Sequence, residues 1–367
     1  LRKETIMAIR VALIGTGNCG RLALKQLVND ARFDLTGVWV STEAKVGRDA
    51  GELAGLDVTT GVAATNDLDA IIAARPDCVV YCAMGDTRLA EAMADIRRIM
   101  AAGIDVVGSA PGVLQYPWQV IPEKYIQRVE EAAREGNSSV FMTGVDPGFA
   151  TDLLPFALAG TCQSIEQVRT MEIADYATYD GATVMFDVMG FGKDIAKDTA
   201  DFPMLFQPGV LSIAWGTAIR QLAAGLGIEV DEIRDSVEQE PAPEDFDIAA
   251  GHIAKGTVAA LRFQIEGMVK GKPVIVVEHV TRLRGDLRPD WAQPAQPGGS
   301  YRVEIIGEPS YAMDICPTSR SGDHNYAAIL AAAARIVNAI PDVVAAPPGI
   351  RTTLDLPLVT GKGLYAN

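Results

Sequence analysis

Cysteine is scarce and unpaired in this chain. Its 367 residues include five, Cys19, Cys78, Cys82, Cys162 and Cys316, an odd number with no CxxC spacing. That excludes a disulfide framework and is the usage of a reducing compartment, so a cytoplasmic location is expected. Cations are in deficit too: 32 Lys and Arg against 47 Asp and Glu leave a net charge of −15. Such a surface repels a polyanion over most of its area, and nucleic acid is not an expected partner. Apolar runs of the ~20 residues that a membrane span needs are lacking as well, because Arg220 and Arg335 break the two longest candidates. The first residues, Leu1 to Ile6, are charged and have no signal-peptide core, and Met7 is a candidate natural start. There are only three histidines, His252, His279 and His324, and no His/Cys/Asp cluster at ligand spacing, so no metal is expected.

What is present is an ordered alternation of patterns. Ala8 to Ile14 reads AIRVALI, apolar and β-branched, as a strand buried on both faces of a parallel sheet does. GTGNCG and a helical pattern follow, then a second strand over Asp34 to Val40, the spacing of a βαβ unit. Further strands are expected at Asp77–Cys82, Asp105–Gly108 and Ser139–Thr143, with helices at Leu89–Ala102 and Glu123–Glu135. After Asp146 the texture changes to longer alternating segments: Val168–Ala174, Thr257–Val269, Pro273–Leu283 and Tyr301–Ile306. Helical patterns at Ala182–Met189 and Gly209–Ala224 interrupt them, and a last helix is expected over Tyr326–Ile340. The expected fold class is α/β: a Rossmann doubly wound parallel sheet over 7–150, joined by the C-terminal helix region 323–345, and a second α+β domain on an open mixed sheet over 151–322. Too few helices accompany the second set of strands to cover both sheet faces, which predicts a homodimer that buries them.

Gly15, Gly17 and Gly20 spell GxGxxG between a buried strand and a helix, the context in which that motif binds a dinucleotide. The expected cofactor turn is Gly15, Thr16, Gly17, Asn18, Cys19 and Gly20. Enzymes that prefer NAD place an acidic residue about 20 positions further on, for the ribose hydroxyls. Here Ser41 and Thr42 stand there, followed by Lys45 and Arg48, a set that suits a 2′-phosphate. NADP(H) is therefore the expected cofactor, with NAD(H) as an alternative should Glu43 reach the ribose.

At this point the residues resemble a known family. GTGNCGR, GRDAGELAG (Gly47 to Gly55) and TNDLDAII are similar to the cofactor domain of dihydrodipicolinate reductases. VFMTGVDPGFATDLLP (Val140 to Pro155) and ARIVNAIPDVVAAPPGI (Ala334 to Ile350) are similar to 2,4-diaminopentanoate dehydrogenase and the native amine dehydrogenases. The resemblance implies NAD(P)H-dependent reduction of an imine or iminium carbon, or the reverse oxidation of an amine, in a homodimer formed through the second domain's sheet. It also implies that Ala83 and Met84, and Ser109 and Ala110, lie at the turns that face the nicotinamide. Two departures stand out. The His-His-x-x-Lys-x-Asp-x-Pro-Ser-Gly-Thr motif of the reductases is absent beyond His252 and Lys255. The amine dehydrogenases carry a Glu in a stretch like Glu-Glu-Leu-Ser-Tyr-Pro, whereas this chain has Pro111, Gly112, Val113, Leu114, Gln115, Tyr116 and Pro117.

Hydride transfer needs a group that manages a proton, and Asp146 is the best remaining carboxylate because its turn ends a strand of the first sheet. A helix cap or turn aspartate before Pro147 has the same signature. Met142, Phe149, Tyr176 and Tyr179 are expected to line the substrate site. The expected function is an NAD(P)H-dependent oxidoreductase of C–N bonds. Its alternatives are a reductase of a cyclic imine or carbonyl, and a dinucleotide-binding protein without chemistry.

Overall fold

The structure, a computed structural model, describes residues 8–195 and 203–365. The chain divides into two units, the first Leu1–Pro117, Ile121–Gly144 and Ile329–Asn367, the second Trp118–Val120 and Val145–Ala328. In chain order the first unit begins with β1 (Ile9–Ile14), α1 (Asn18–Asn29), β2 (Phe33–Trp39), α2 (Ala50–Ala54), α3 (Leu68–Ala73), β3 (Cys78–Tyr81), α4 (Leu89–Ala101), β4 (Asp105–Gly108), α5 (Glu123–Gly136) and β5 (Ser139–Met142). The second unit holds α6 (Leu153–Ala159), β6 (Ser164–Asp175), α7 (Val210–Ala214), α8 (Gly216–Leu226), β7 (Glu232–Pro241), β8 (Phe246–Ile248), β9 (Gly251–Ile253), β10 (Val258–Val269), β11 (Lys272–Arg282), β12 (Gly299–Glu308) and β13 (Tyr311–Ile315). The chain then returns through α9 (His324–Val344) to β14 (Gly349–Arg351).

The first sheet runs β14-β5-β4-β3-β1-β2 and is parallel throughout. Its strands are apolar on both faces because helices cover both: Val11, Ala12 and Leu13 in β1 are wholly buried, as are Val79 and Val80 in β3. α9 contributes Ala333, Ile336, Val337, Ile340 and Val343 to the same core as Val11, Leu13, Leu24 and Phe141. Their three- and four-residue spacing is the inward stripe of a core helix. By length and composition alone α9 is apolar enough to cross a membrane, although Arg335 sits in its middle. The buried stripe places one face of that apolar helix in the protein core.

The second sheet runs β13-β12-β6-β11-β10-β7. All its pairings are antiparallel except β11 with β6, so it is the open mixed sheet that the alternating segments predict. β8 and β9 form a separate hairpin. Three differences from the sequence reading stand out. The pattern over Ala182–Met189 forms a short π-helical turn, Thr183–Val188. The one over Gly209–Ala224 is broken at Trp215 into α7 and α8. β7 escaped the reading because its sequence, EIRDSVEQEP, carries the charges of an edge strand.

One row of paired residues crosses this sheet on a single face: Tyr301 on β12, Glu172 on β6, His279 on β11, Phe263 on β10 and Val237 on β7. The opposite face carries Arg169, Glu278 and Arg262, where Glu278 accepts from both arginines.

If α9 is a core helix, Ile340→Ala leaves a cavity and costs about 2–5 kcal/mol. A urea midpoint within experimental error of the parent would show that its apolar stripe is not packed as described.

Candidate active site

The turn after β1 is shaped for a pyrophosphate. Gly15 holds φ at +93°, and a Cβ there would lie 2.5 Å from the Ala83 nitrogen. A Cβ on Gly20 would fall 1.9 Å from the Gly15 carbonyl oxygen, so helix and strand pack at a distance only glycine allows. Above Gly17 nothing lies within 4 Å of the Cβ position, which leaves space at the N-terminus of α1, where backbone N–H groups and the helix dipole favour an anion. Thr16, Asn18 and Cys19 complete the turn. The Cys19 thiol bonds Cys82, which holds it below the ordinary thiol range, and also bonds Ser109.

Lys45 reaches back to this turn, its Nζ donating to Thr16 Oγ1 at 3.1 Å and to Thr16 O at 3.2 Å. Ser41 and Thr42 are exposed just past β2. Arg48 instead pairs with Glu52 at 2.8 Å on the surface. Glu43 accepts from Asn66 Nδ2 at 2.9 Å. These residues fit a dinucleotide: an unobstructed glycine turn with a cation beside it and neutral hydroxyls where an acidic residue often stands.

Past β3, Ala83 is buried and Met84 exposed; past β4, the Ser109 N–H donates to Tyr81 O at 3.1 Å and Ala110 is buried. The segment Pro111–Pro117, which lacks a carboxylate of its own, turns over Gly112–Gln115 and takes one from elsewhere. Asp86 Oδ1 accepts from Gly112 N at 2.8 Å, and a Cβ on Gly112 would lie 3.6 Å from that oxygen. Asp86 is exposed by area, yet crowding by protein atoms desolvates its carboxyl and raises its pKa against the pull of the Gly112 bond. Nothing in the sequence around Asp86 singles it out.

Asp146 lies in the second unit, its side chain only 1 % exposed. Trp215 Nε1 donates to its Oδ1 at 2.8 Å, and His279 Nε2 stands 3.0 Å from its Oδ2. Those last two atoms are poorly aligned for a hydrogen bond, and neither has another partner. His279 stacks on Phe263 at 4.5 Å between centroids, and the Trp215 ring meets both edge-on. Glu172 neighbours them in the sheet row, bonded by the hydroxyls of Tyr176 and Tyr301. One ligating atom from each of Asp146, Glu172 and His279 lies within 4.8 Å of the others, so the fold assembles a cluster that ligand spacing along the chain does not show.

Burial dominates the electrostatics here. Desolvation pushes Glu172 up, more than its bonds and the His279 charge pull it down. For His279 desolvation acts to lower the pKa, but the Asp146 carboxylate, with Glu172 and Glu278 behind it, raises it overall. Tyr176 and Tyr301 are pushed well above the phenolic range by burial beside Glu172. Tyr176 also stacks on Tyr179 at 5.8 Å. Of the other residues expected to line the substrate site, Phe149 is half-buried, while Met142 is fully buried at the end of β5 in the first unit.

Sequence reasoning singled out Asp146 and Tyr176 but missed Glu172 and Trp215 and left His279 unassigned. The signal for the first and last was a charge inside an apolar strand, MEIA for Glu172 and VVEHV for His279, since such groups are rarely buried unpartnered.

The chain is similar to known proteins along most of its length. The C-terminal domain of 2,4-diaminopentanoate dehydrogenase matches residues 149–363, and the dihydrodipicolinate reductase N-terminus matches residues 9–108. An amine dehydrogenase of Streptomyces virginiae is 40% identical over 352 residues, 95% of this chain and 96% of that one. The 2,4-diaminopentanoate dehydrogenase of Acetoanaerobium sticklandii is 27% identical over 79% of this chain and 76% of its own. The solved amine dehydrogenase of Mycobacterium smegmatis shares the fold, with a TM-score of 0.77 at 22% identity over 96% of this chain and 97% of that one. Fold and relatives together define an NAD(P)-dependent oxidoreductase that acts on C–N bonds. Within that class, the chain belongs to the 2,4-diaminopentanoate dehydrogenase family.

The charge pattern predicts a proton titration. By NMR, His279 titrates above the ordinary value of about 6.5 and His324, which burial lowers, titrates below it. In Asp146→Asn, burial is less opposed and His279 moves down. Because its folded pKa is raised, His279 contributes stability that is fully present below about pH 6.5 and is lost as pH rises through the folded value. Glu172, also raised, acts with the same sign through a lower window that begins at about pH 4.3. A His279 resonance that titrates at or below about pH 6.5 contradicts this charge arrangement.

Proposed function

We propose that this enzyme interconverts a ketone or aldehyde and its primary amine with NADPH, and that Asp146, paired with His279, holds the nitrogen cation and moves its proton. The observation that carries this reading is the Asp146 carboxylate, nearly sealed from solvent, with a neutral Trp215 N–H on one oxygen and the His279 imidazole 3.0 Å from the other. A carboxylate in that setting attracts a cation and deprotonates it. The bound dinucleotide supplies hydride. Gly15, Gly17 and Gly20 shape its turn, Lys45 brings positive charge to it, and Ser41 and Thr42 leave room for a 2′-phosphate. Ala83, Met84, Ser109 and Ala110 border the nicotinamide, and Phe149, Tyr176 and Tyr179 the substrate. The enzyme works in the cytoplasm as a homodimer joined through the second sheet. Both open edges of that sheet, β13 and β7, support this association.

A nicotinamide-fluorescence screen of ketones and aldehydes with and without ammonia tests the reaction. Turnover that needs ammonia supports amination, and equal turnover without it assigns the enzyme to carbonyl reduction. Titration of the two cofactors is expected to show NADPH bound at least as tightly as NADH, and Ser41→Asp shifts the preference towards NADH by repelling the phosphate. A clear NADH preference in the parent places Glu43 at the ribose instead.

In Asp146→Asn, turnover falls by about 10²- to 10⁴-fold while cofactor binding is kept. If Asp146→Asn stays within a few-fold of the parent and Asp86→Asn loses activity, the proton belongs to Asp86, the carboxylate at Gly112.

A further inference from the structure

We infer that Asp146, Glu172 and His279 form a binding site for the ammonium ion consumed in the reaction. This rests on the amination reading above and goes beyond it in assigning the nitrogen donor its own place. Three observations support it. Asp146 Oδ2 and His279 Nε2 are both buried and pair at 3.0 Å in poor hydrogen-bond alignment, and neither has a further partner, so each keeps hydrogen-bonding capacity that the protein does not use. Glu172 closes the same cluster, its ligating atom within 4.8 Å of theirs. Phe263 stacks on His279 and Trp215 meets it edge-on, contacts that favour the imidazolium which forms when His279 takes a proton from the ion.

The chemistry of the donors selects this occupant. Two carboxylates and an imidazole, with neutral donors already bonded to the carboxylates from Trp215, Tyr176 and Tyr301, lack only a cation that offers hydrogen bonds in several directions at once. Ammonium offers four. A lysine or arginine would do the same from within the protein, but no ion pair joins either to Asp146 or Glu172 among the described residues. Bound ammonium passes one proton to neutral His279, whose imidazolium Asp146 and Glu172 stabilise. The freed nitrogen lone pair attacks the carbonyl carbon, and the C–N bond forms as the C=O π pair moves to oxygen. That oxygen takes one proton from the nitrogen and one from His279 and leaves as water, so the product is the iminium on which the hydride acts and His279 returns to neutral.

Trp215 provides a readout independent of turnover, because its indole bonds Asp146 and abuts His279. With the full-length protein, ammonium chloride titrated against sodium chloride at constant ionic strength is expected to change intrinsic fluorescence saturably. The change should vanish in Trp215→Phe and weaken in Glu172→Gln. In turnover, Glu172→Gln raises KM for ammonium by about 10- to 100-fold, the loss of one hydrogen bond to a charged group, while KM for the carbonyl substrate stays within about twofold. Asp146→Asn gives the same fluorescence result should Glu172→Gln fail to fold. Fluorescence that does not distinguish ammonium from sodium, or an unchanged ammonium KM in Glu172→Gln, overturns the assignment. Activity lost on dialysis against a chelator and restored by zinc also overturns it, in favour of a metal. If no carbonyl is aminated by the parent, the function proposed above fails, and saturable ammonium fluorescence still establishes the site.

Discussion

The second sheet is organised by the cost of burying charge. Asp146, Glu172 and His279 sit where water does not reach to pay for their ionisation, so each must be held by neighbours or shift its protonation. The surrounding structure does both. Trp215 interrupts a helix, placing the indole N–H on Asp146. Tyr176 and Tyr301 bond Glu172 from its own strand end and from the adjacent strand. Phe263 stacks against the imidazole. Removing one member leaves a buried partner uncompensated, which is costlier than the loss of a surface pair.

How much of this was legible in the sequence varied with the kind of signal. The first sheet was readable almost strand by strand, because a parallel sheet covered on both faces demands continuous apolar runs, and Val11 to Ile14 and Cys78 to Tyr81 have them. The cofactor turn was readable because three glycines between a strand and a helix answer a steric demand that the Cβ distances at Gly15 and Gly20 show directly. β7, β8, β9, β13 and β14 were not read, the first too charged and the others only three to five residues long. The buried cluster was partly readable. Asp146 stood out by position in the chain, but Glu172, His279 and Trp215 are brought to it by strand register and a helix break, neither of which local composition encodes.

The side of the enzyme proposed to hold the cofactor is economical by contrast. Its glycine turn, the reach of Lys45 to Thr16 and the hydroxyls past β2 lie within residues 15–45, so local sequence suffices to define it. Asp86 is the exception there, since its link to Gly112 joins the loops after two different strands and depends on how those loops pack.

The turn between β10 and β11 gives the enzyme a property best described as parity. Lys270 and Gly271 both take positive φ, a two-residue hairpin of the type that fixes strand register. On β11 the imidazole and a carboxylate are adjacent, His279 facing Asp146 and Glu278 facing the arginines on the reverse side. A slip of one residue in the pairing of β11 would exchange their faces, pointing Glu278 into the acidic cluster and His279 at two guanidinium groups. A residue inserted in the loop need not cause that slip, because a longer loop or a bulge absorbs it, as the shift in register between Gly267 and Met268 already does. The irregularity beside the turn therefore acts as a spare place that lets the loop vary in length while the parity of the strand is kept.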